Sequence, residues 1–190
     1  MSEMPKMRIA ITGTIGSGKT TVSEYIRSLG YEVFDCDAVN AEILEKRGYE
    51  LLKDVFPECF FDNILDKEKL ADVVFNEQEK KKQLEDILHP IILEELEKIN
   101  NKIVIAEVPL LFEVNWNEYF DVNVLVVADR NIAISRLEKR GLSYDDAVLR
   151  ISNQMSTQEK IKKADRIIYN NGSLSLLYAQ VDLLLSDLKC

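Results

Sequence analysis

The sequence holds one histidine, three cysteines and seven glycines in 190 residues. With only His89, and with Cys36, Cys59 and Cys190 unpaired by any C-x-x-C spacing, a structural zinc site lacks ligands. The odd cysteine count indicates a reducing compartment, and a Ser-His-Asp hydrolase finds little support. No apolar run approaches the roughly 18 residues of a membrane span. The opening MSEMPKM lacks the apolar stretch of a secretion signal, so the expectation is a cytoplasmic protein; separately, a monomer or small homo-oligomer is expected. Positive charge is also in deficit, with 33 Asp+Glu against 24 Lys+Arg and a formal net charge of −9. That argues against non-specific binding to nucleic acid or to an anionic membrane. It also sets a condition: any phosphate-bearing substrate has to be gripped by local geometry, because the overall field repels it.

The glycines that are present are concentrated. Gly13, Gly16 and Gly18 follow the apolar run Met7 to Thr12, which reads as a short buried strand. From Lys19 the period changes: Val22, Tyr25, Ile26 and Leu29 lie on one helical face, and Gly30 is a stop signal. Tyr31 to Phe34 read as a second strand, completing a βαβ unit. The middle of the chain is helical and charged, with a long apolar stripe from Leu84 to Ile99. Pro90 lacks a donor and crowds the Asp86 carbonyl, so a kink or break is expected at His89-Pro90. Further strands are expected at 102–108, 122–127 and 166–169. The helices between them include two that open with capping-box spacing, at Ser143/Asp146 and Ser156/Glu159. A turn at Asn170-Asn171-Gly172 precedes a last amphipathic helix from Leu174 to Leu188. The architecture is α/β.

Gly13-Thr14-Ile15-Gly16-Ser17-Gly18-Lys19-Thr20 matches G-x-x-x-x-G-K-[ST] at every fixed position. Glycine lets the backbone wrap until successive N–H groups converge on an anion, and the following helix adds its positive end. Lys19 supplies a charge for the β- and γ-phosphates, and the Thr20 hydroxyl is a ligand for Mg²⁺. The motif identifies a nucleotide, not a reaction.

Carboxylates follow the second strand. If the strand continues through Val33 to Asp37, Asp35 and Asp37 share one face at the carboxyl edge, beside the phosphate turn. There a carboxylate orients a substrate hydroxyl or holds Mg²⁺ through water; alternatively, Asp35 caps the next helix. Glu107, at the end of the 102–108 strand, is equally a metal helper or a salt-bridge partner. Arg136 and Arg140, four apart on one helical face, could close over phosphates, with Arg150 a further candidate; surface helices also carry many arginines. His89 reads as structural at a helix break, and Lys80-Lys81-Lys82 as a solvated face.

Several of these motifs together resemble the dephospho-CoA kinase family: Thr12 to Val22, Asp35-Cys36-Asp37, Leu88-His89-Pro90, Val108 to Glu113, Arg136 to Arg140, and Ala164 to Gly172. They stand in the family's order across nearly the whole chain. The resemblance implies a three-layer P-loop kinase fold, with a five-stranded parallel sheet flanked by helices. The core is about 7–36, 102–129 and 165–190, with a helical acceptor-binding insertion about 37–101 and a helical lid about 131–163. The activity it implies is transfer of the ATP γ-phosphoryl group to the ribose 3′-hydroxyl of dephospho-CoA, with Mg²⁺. By the same resemblance Asp37, Lys19 and Arg140 are catalytic. Thr14, Ile15, Gly16, Ser17, Gly18, Lys19, Thr20, Thr21, Arg136 and Asn170 bind ATP. Asp37, His89, Pro109, Leu110, Leu111 and Glu113 receive the acceptor. Cys36, Ala41 and Tyr169 depart from the family's usual Ala, Arg and Asp. The rivals are a kinase of the nucleoside monophosphate type and a nucleotide-dependent switch, although no N/T-K-x-D guanine signature is present.

Overall fold

The structure, a computed structural model, describes residues 6–188; Cys190 and most of the MSEMPKM start lie outside them. Contacts divide the chain into two compact units. Residues 36–100 form one, and the segments up to Asp35 and from Asn101 onward form the other.

The larger unit is built on β1 (Met7–Thr12), followed by α1 (Lys19–Ser28) and β2 (Val33–Asp35). The 36–100 unit comprises α2 (Cys36–Leu52), the short hairpin β3 (Phe60–Phe61) and β4 (Ile64–Leu65), then α3 (Lys67–Asn76) and α4 (Gln78–Glu97). The larger unit resumes with β5 (Ile103–Glu107), β6 (Val122–Val127), α5 (Arg130–Glu138), α6 (Tyr144–Ser152), α7 (Thr157–Lys163), β7 (Arg166–Tyr169) and α8 (Leu174–Asp187).

Five strands form one parallel sheet in the order β2-β5-β1-β6-β7. β1 lies at the centre because it is apolar on both faces: Ile9, Ala10 and Ile11 are all buried. Its register with β5 sets Ile9 opposite Ile105, and its register with β6 sets Ile11 opposite Val124. Ile9, Ile11, Ile105, Val124, Val126 and Ile168 then pack with Val22 and Ile26 of α1 and with Leu177, Val181 and Leu184 of α8. Tyr25 and Tyr178 stack with centroids 3.8 Å apart, and Tyr25 Oη donates to Asp182 Oδ1 at 2.9 Å. In the 36–100 unit Leu52, Phe56, Cys59 and Leu70 are buried together, with Leu84 and Ile87 of α4 against them.

Four expectations change. The second strand begins at Val33, two residues later than the apolar run. It ends at Asp35, and Cys36 already opens a helix. Asp35 and Asp37 therefore do not share a strand face; Asp37 occupies the first turn of α2. Of the kink or break expected at His89-Pro90, the break is absent, since α4 runs through Pro90, and His89 is not at a helix end. Leu88, Ile92 and Leu96 are buried at successive fourth positions on both sides of the proline. Burial along that one stripe offsets the ~3 kcal/mol that an interior proline costs. Finally, the full capping box forms only at Ser156/Glu159. At Ser143 the hydroxyl accepts the Asp146 N–H and the Asp146 carboxylate turns to the Ser143 hydroxyl.

Two outcomes follow from the packing of the 36–100 unit. Phe56 has no exposed surface, so Phe56→Ala should cost about 3–5 kcal/mol in urea unfolding followed by circular dichroism. A loss below ~1 kcal/mol would place it outside the core. His89 is half-buried; desolvation pushes its pKa down against the raising effects of Glu85 and Asp86. The unfolded chain, with a histidine near 6.5, then binds more protons in the window just below that value. Stability should therefore rise with pH through the window and fall as pH drops below about 6.5. A histidine proton titration by NMR reads the pKa directly, and His89→Gln should flatten that part of the stability profile.

Candidate active site

The loop between β1 and α1 carries the glycine-rich motif. Gly16 and Gly18 have φ of 81° and 95°, a left-handed conformation that glycine adopts without strain. The space around them requires glycine as well: a Cβ on Gly16 would sit 2.7 Å from the Ala133 carbonyl oxygen, and one on Gly18 would collide with the Asn170 amide. Within the loop the Ser17 N–H donates to Thr14 O at 3.1 Å. Lys19 Nζ folds back to donate to Gly13 O at 2.8 Å and to Thr14 O at 3.5 Å.

Two residues distant in sequence hold this loop from one side. Arg136, on α5, donates from Nη1 to Gly16 O (3.3 Å) and Ser17 O (3.1 Å). From Nη2 it donates to Asn170 O (2.9 Å) and Asn170 Oδ1 (3.2 Å). Asn170, just past β7 and 5% exposed, donates from Nδ2 to Ser17 O at 2.8 Å. In a trans peptide the C=O and the next N–H point in opposite directions. Drawing Gly16 O and Ser17 O toward Arg136 and Asn170 therefore aims the Ser17 and Gly18 N–H groups away from them. Burial, and secondarily the charge of Arg140, lowers the Arg136 pKa; the guanidinium still carries its charge at neutral pH. Arg140 itself follows α5 and is exposed.

A hydroxyl and carboxylates gather at the carboxyl end of β5. Thr20 Oγ1, on α1, donates to Glu107 Oε1 at 3.3 Å. Glu107 is 6% exposed, and its Oε2 is buried without a hydrogen-bond partner among the described residues. Asp35 is the register partner of Glu107 across β2 and β5. No group of three or more His, Cys, Asp or Glu side chains assembles for a metal among the described residues. The oxygen donors that are present suit Mg²⁺, which takes one or two protein oxygens and fills its octahedron with water and phosphate.

The other expected residues are distributed as follows. Asp37 is exposed in the first turn of α2, and His89 lies on α4, both in the 36–100 unit. Pro109, Leu110, Leu111 and Glu113 follow β5 in the larger unit; Leu111 is fully buried, while Pro109 and Leu110 are partly exposed. Glu113 Oε1 lies 2.7 Å from Lys160 Nζ and also accepts the Met155 N–H at 3.1 Å. Next to it, Gln154 Oε1 accepts the Ile15 N–H of the phosphate turn at 2.8 Å. A cavity of about 290 Å³ adjoins these groups, lined by Thr14, Arg130, Ala133, Gln154, Met155 and Thr157 among others. Sequence reasoning did not single out Gln154 or Lys160. Neither sits in a motif with its own chemistry, and Lys160 is buried only because Glu113, far away in sequence, meets it.

The family model described as dephospho-CoA kinase matches residues 7–175. A dephospho-CoA kinase of Thermus thermophilus is 39% identical over 185 residues, spanning 95% of this chain and 91% of the relative. One of Fusobacterium nucleatum is 35% identical, with 94% and 97% covered. Among solved structures, a Thermus thermophilus protein superposes with a TM-score of 0.87 at 38% identity, covering 97% of this chain and 99% of the other. The dephospho-CoA kinase of Campylobacter jejuni reaches 0.69 at 27% identity, covering 97% and 98%. A shikimate kinase from Acinetobacter baumannii shares the fold at 17% identity, with a TM-score of 0.58 over 97% of this chain and 94% of that one. No helix among the described residues is long and apolar enough to cross a membrane.

The clamp on the turn is directly measurable. Arg136→Lys keeps a charge but loses the planar fork, so calorimetry should show ATP binding roughly tenfold weaker. Unchanged affinity would mean that the turn holds its shape without the fork.

Proposed function

The chain belongs to the dephospho-CoA kinase family, whose members are ATP-dependent kinases, and we propose that its own residues divide the transfer as follows. ATP lies with its phosphates on the amide side of the Gly13–Thr20 turn, which Arg136 and Asn170 support from the carbonyl side. Lys19, released from its own loop carbonyls, meets the β- and γ-phosphates. Thr20, with Glu107 and Asp35 behind it, holds Mg²⁺. The metal's chemistry there is to neutralise charge on the β- and γ-phosphate oxygens. Arg140, exposed next to Arg136, adds charge to the transferring group.

The acceptor is dephospho-CoA. Its ribose 3′-oxygen forms the new bond to Pγ as the bond between Pγ and the β,γ-bridging oxygen breaks. ADP departs with that electron pair, and the hydroxyl proton passes to the Asp37 carboxylate. Asp37 receives this role from the family's Asp-x-Asp pattern, here Asp35-Cys36-Asp37, and from its position directly after β2. His89, Pro109, Leu110, Leu111 and Glu113 belong to the acceptor segments by the same pattern. Positioning and charge stabilisation then supply most of the acceleration. The observation that carries the reading is the phosphate turn with its carbonyls tied outward, set in a chain that matches the family model over residues 7–175.

Coupled ADP release with and without dephospho-CoA tests the reaction. Stimulation by dephospho-CoA, and not by AMP or CMP, is expected; a preference for AMP or CMP would transfer the reading to a nucleoside monophosphate kinase. Asp37→Asn should lower kcat about 100-fold or more while ATP affinity stays within a few-fold. Wild-type kcat in that variant would remove Asp37 from proton transfer.

A further inference from the structure

Two consecutive residues between α6 and α7 are tied to different parts of the larger unit. Gln154 Oε1 accepts the Ile15 N–H of the phosphate turn at 2.8 Å, and the next peptide N–H, that of Met155, donates to Glu113 Oε1 at 3.1 Å. Glu113 is itself paired at 2.7 Å with Lys160, which has no exposed surface. A buried ion pair is a weak source of stability, because two desolvated charges cost nearly what their attraction returns. What such a pair does well is fix a position, and here it fixes the end of the segment that follows β5.

The phosphate turn has two halves, and Arg136 and Asn170 hold only the rear one, through Gly16 O and Ser17 O. The front half is held by Lys19 Nζ on Gly13 O and Thr14 O, contacts that Lys19 gives up when it meets the phosphates, by the Ser17 N–H to Thr14 O bond and by Gln154 on Ile15. Ile15 is followed by the left-handed Gly16, so a loose Ile15 peptide would let the loop's front swing about that glycine. A neutral amide suits this place. Its oxygen accepts the N–H without placing a negative charge beside a triphosphate, as a carboxylate would.

We propose that Gln154 is a positioning residue for phosphoryl transfer: it holds the front of the phosphate turn in register with the Pro109–Glu113 segment through a Gln154-Met155 strap anchored by the Glu113–Lys160 pair. The inference rests on the kinase reading above and concerns the same site. It assigns Gln154 no contact with the reacting atoms; Gln154 acts through Ile15.

The test is steady-state ADP formation with dephospho-CoA as acceptor, with the melting temperature of each variant recorded. Gln154→Ala should lower kcat roughly threefold to tenfold, the worth of one neutral hydrogen bond, with the melting temperature nearly unchanged. Gln154→Glu keeps an accepting oxygen but adds a charge. It should restore kcat at saturating ATP and raise the ATP KM several-fold, a split that a residue of purely structural importance would not produce. Glu113→Gln with Lys160→Met removes both buried charges at once and slackens the other end of the strap. Its effect on kcat should not add to that of Gln154→Ala, so the combined variant should fall little below the worse of the two. Wild-type kcat in Gln154→Ala, an unchanged KM in Gln154→Glu, or full additivity would each overturn the strap. If the unaltered chain shows no ADP formation stimulated by dephospho-CoA, the kinase reading fails and the strap with it; an active wild type with indifferent variants overturns the strap alone.

Discussion

Across every trans peptide the carbonyl and the following amide face opposite ways, and the site depends on which side of the turn each is made to face. Arg136 and Asn170 engage Gly16 O and Ser17 O, so the carbonyls are used on one side; of the two amides turned to the other, that of Ser17 is bonded to Thr14 O and that of Gly18 faces away from the clamp. A chain of formal charge −9 cannot attract a triphosphate by its overall field. It can concentrate a few oriented dipoles, a helix N-terminus and one lysine within the length of a loop, where they act at contact distance and the distant carboxylates are screened. Guanidinium suits the clamping role better than ammonium, because one planar fork reaches the loop and Asn170 at once.

The sheet order brings these groups together. β1 is central, so the loop leaving it has strand ends on both sides at the carboxyl edge. On one side β6 leads into α5 and Arg136, and β7 ends next to Asn170, whose N–H is anchored on Val127 O at 2.7 Å. On the other side β5 delivers Glu107 to the Thr20 hydroxyl, and β2 sets Asp35 opposite Glu107. In a parallel sheet these loops all emerge at one edge. The phosphate turn thus has its backbone support on one flank and an oxygen-rich group of side chains on the other, although the residues are scattered through the sequence.

What was legible in the sequence was what short-range chemistry decides. The turn, its flanking strand and helix, the doubly buried strands and the Ser156/Glu159 cap are each fixed by a few neighbouring residues. Asp35 and Asp37 were misplaced because strand continuation at Cys36 is a question of pairing, and β2 has only three paired positions, opposite Ile105 to Glu107. The helix continues past Pro90, where a break was one of the two expected outcomes, for a related reason: the local cost of the proline was visible, but the burial of Leu88, Ile92 and Leu96 on both sides of it was not. The hairpin at 60–65 escaped notice because two-residue strands give no period to read. Nothing near Arg136 in sequence says that its partners are the carbonyls of residues 16 and 17.

Lys160 extends the same argument. α7 carries three lysines in its last turn, and sequence pattern treats them alike, as solvated charges near a helix C-terminus. The fold distinguishes them: Lys160 is wholly buried against Glu113, while Lys162 and Lys163 remain exposed. An apolar residue at 160 would fill the space at lower desolvation cost, but it could not restrain a carboxylate that also accepts a backbone N–H from the segment next to the phosphate turn. Arg136 and Lys160 therefore share one design. Each is a cation placed against oxygen atoms of a neighbouring segment, Lys160 wholly buried against the Glu113 carboxylate and Arg136 partly buried against the carbonyls of residues 16 and 17. In an acidic kinase such cations fix the local geometry of the turn and of the segment beside it without making the surface basic.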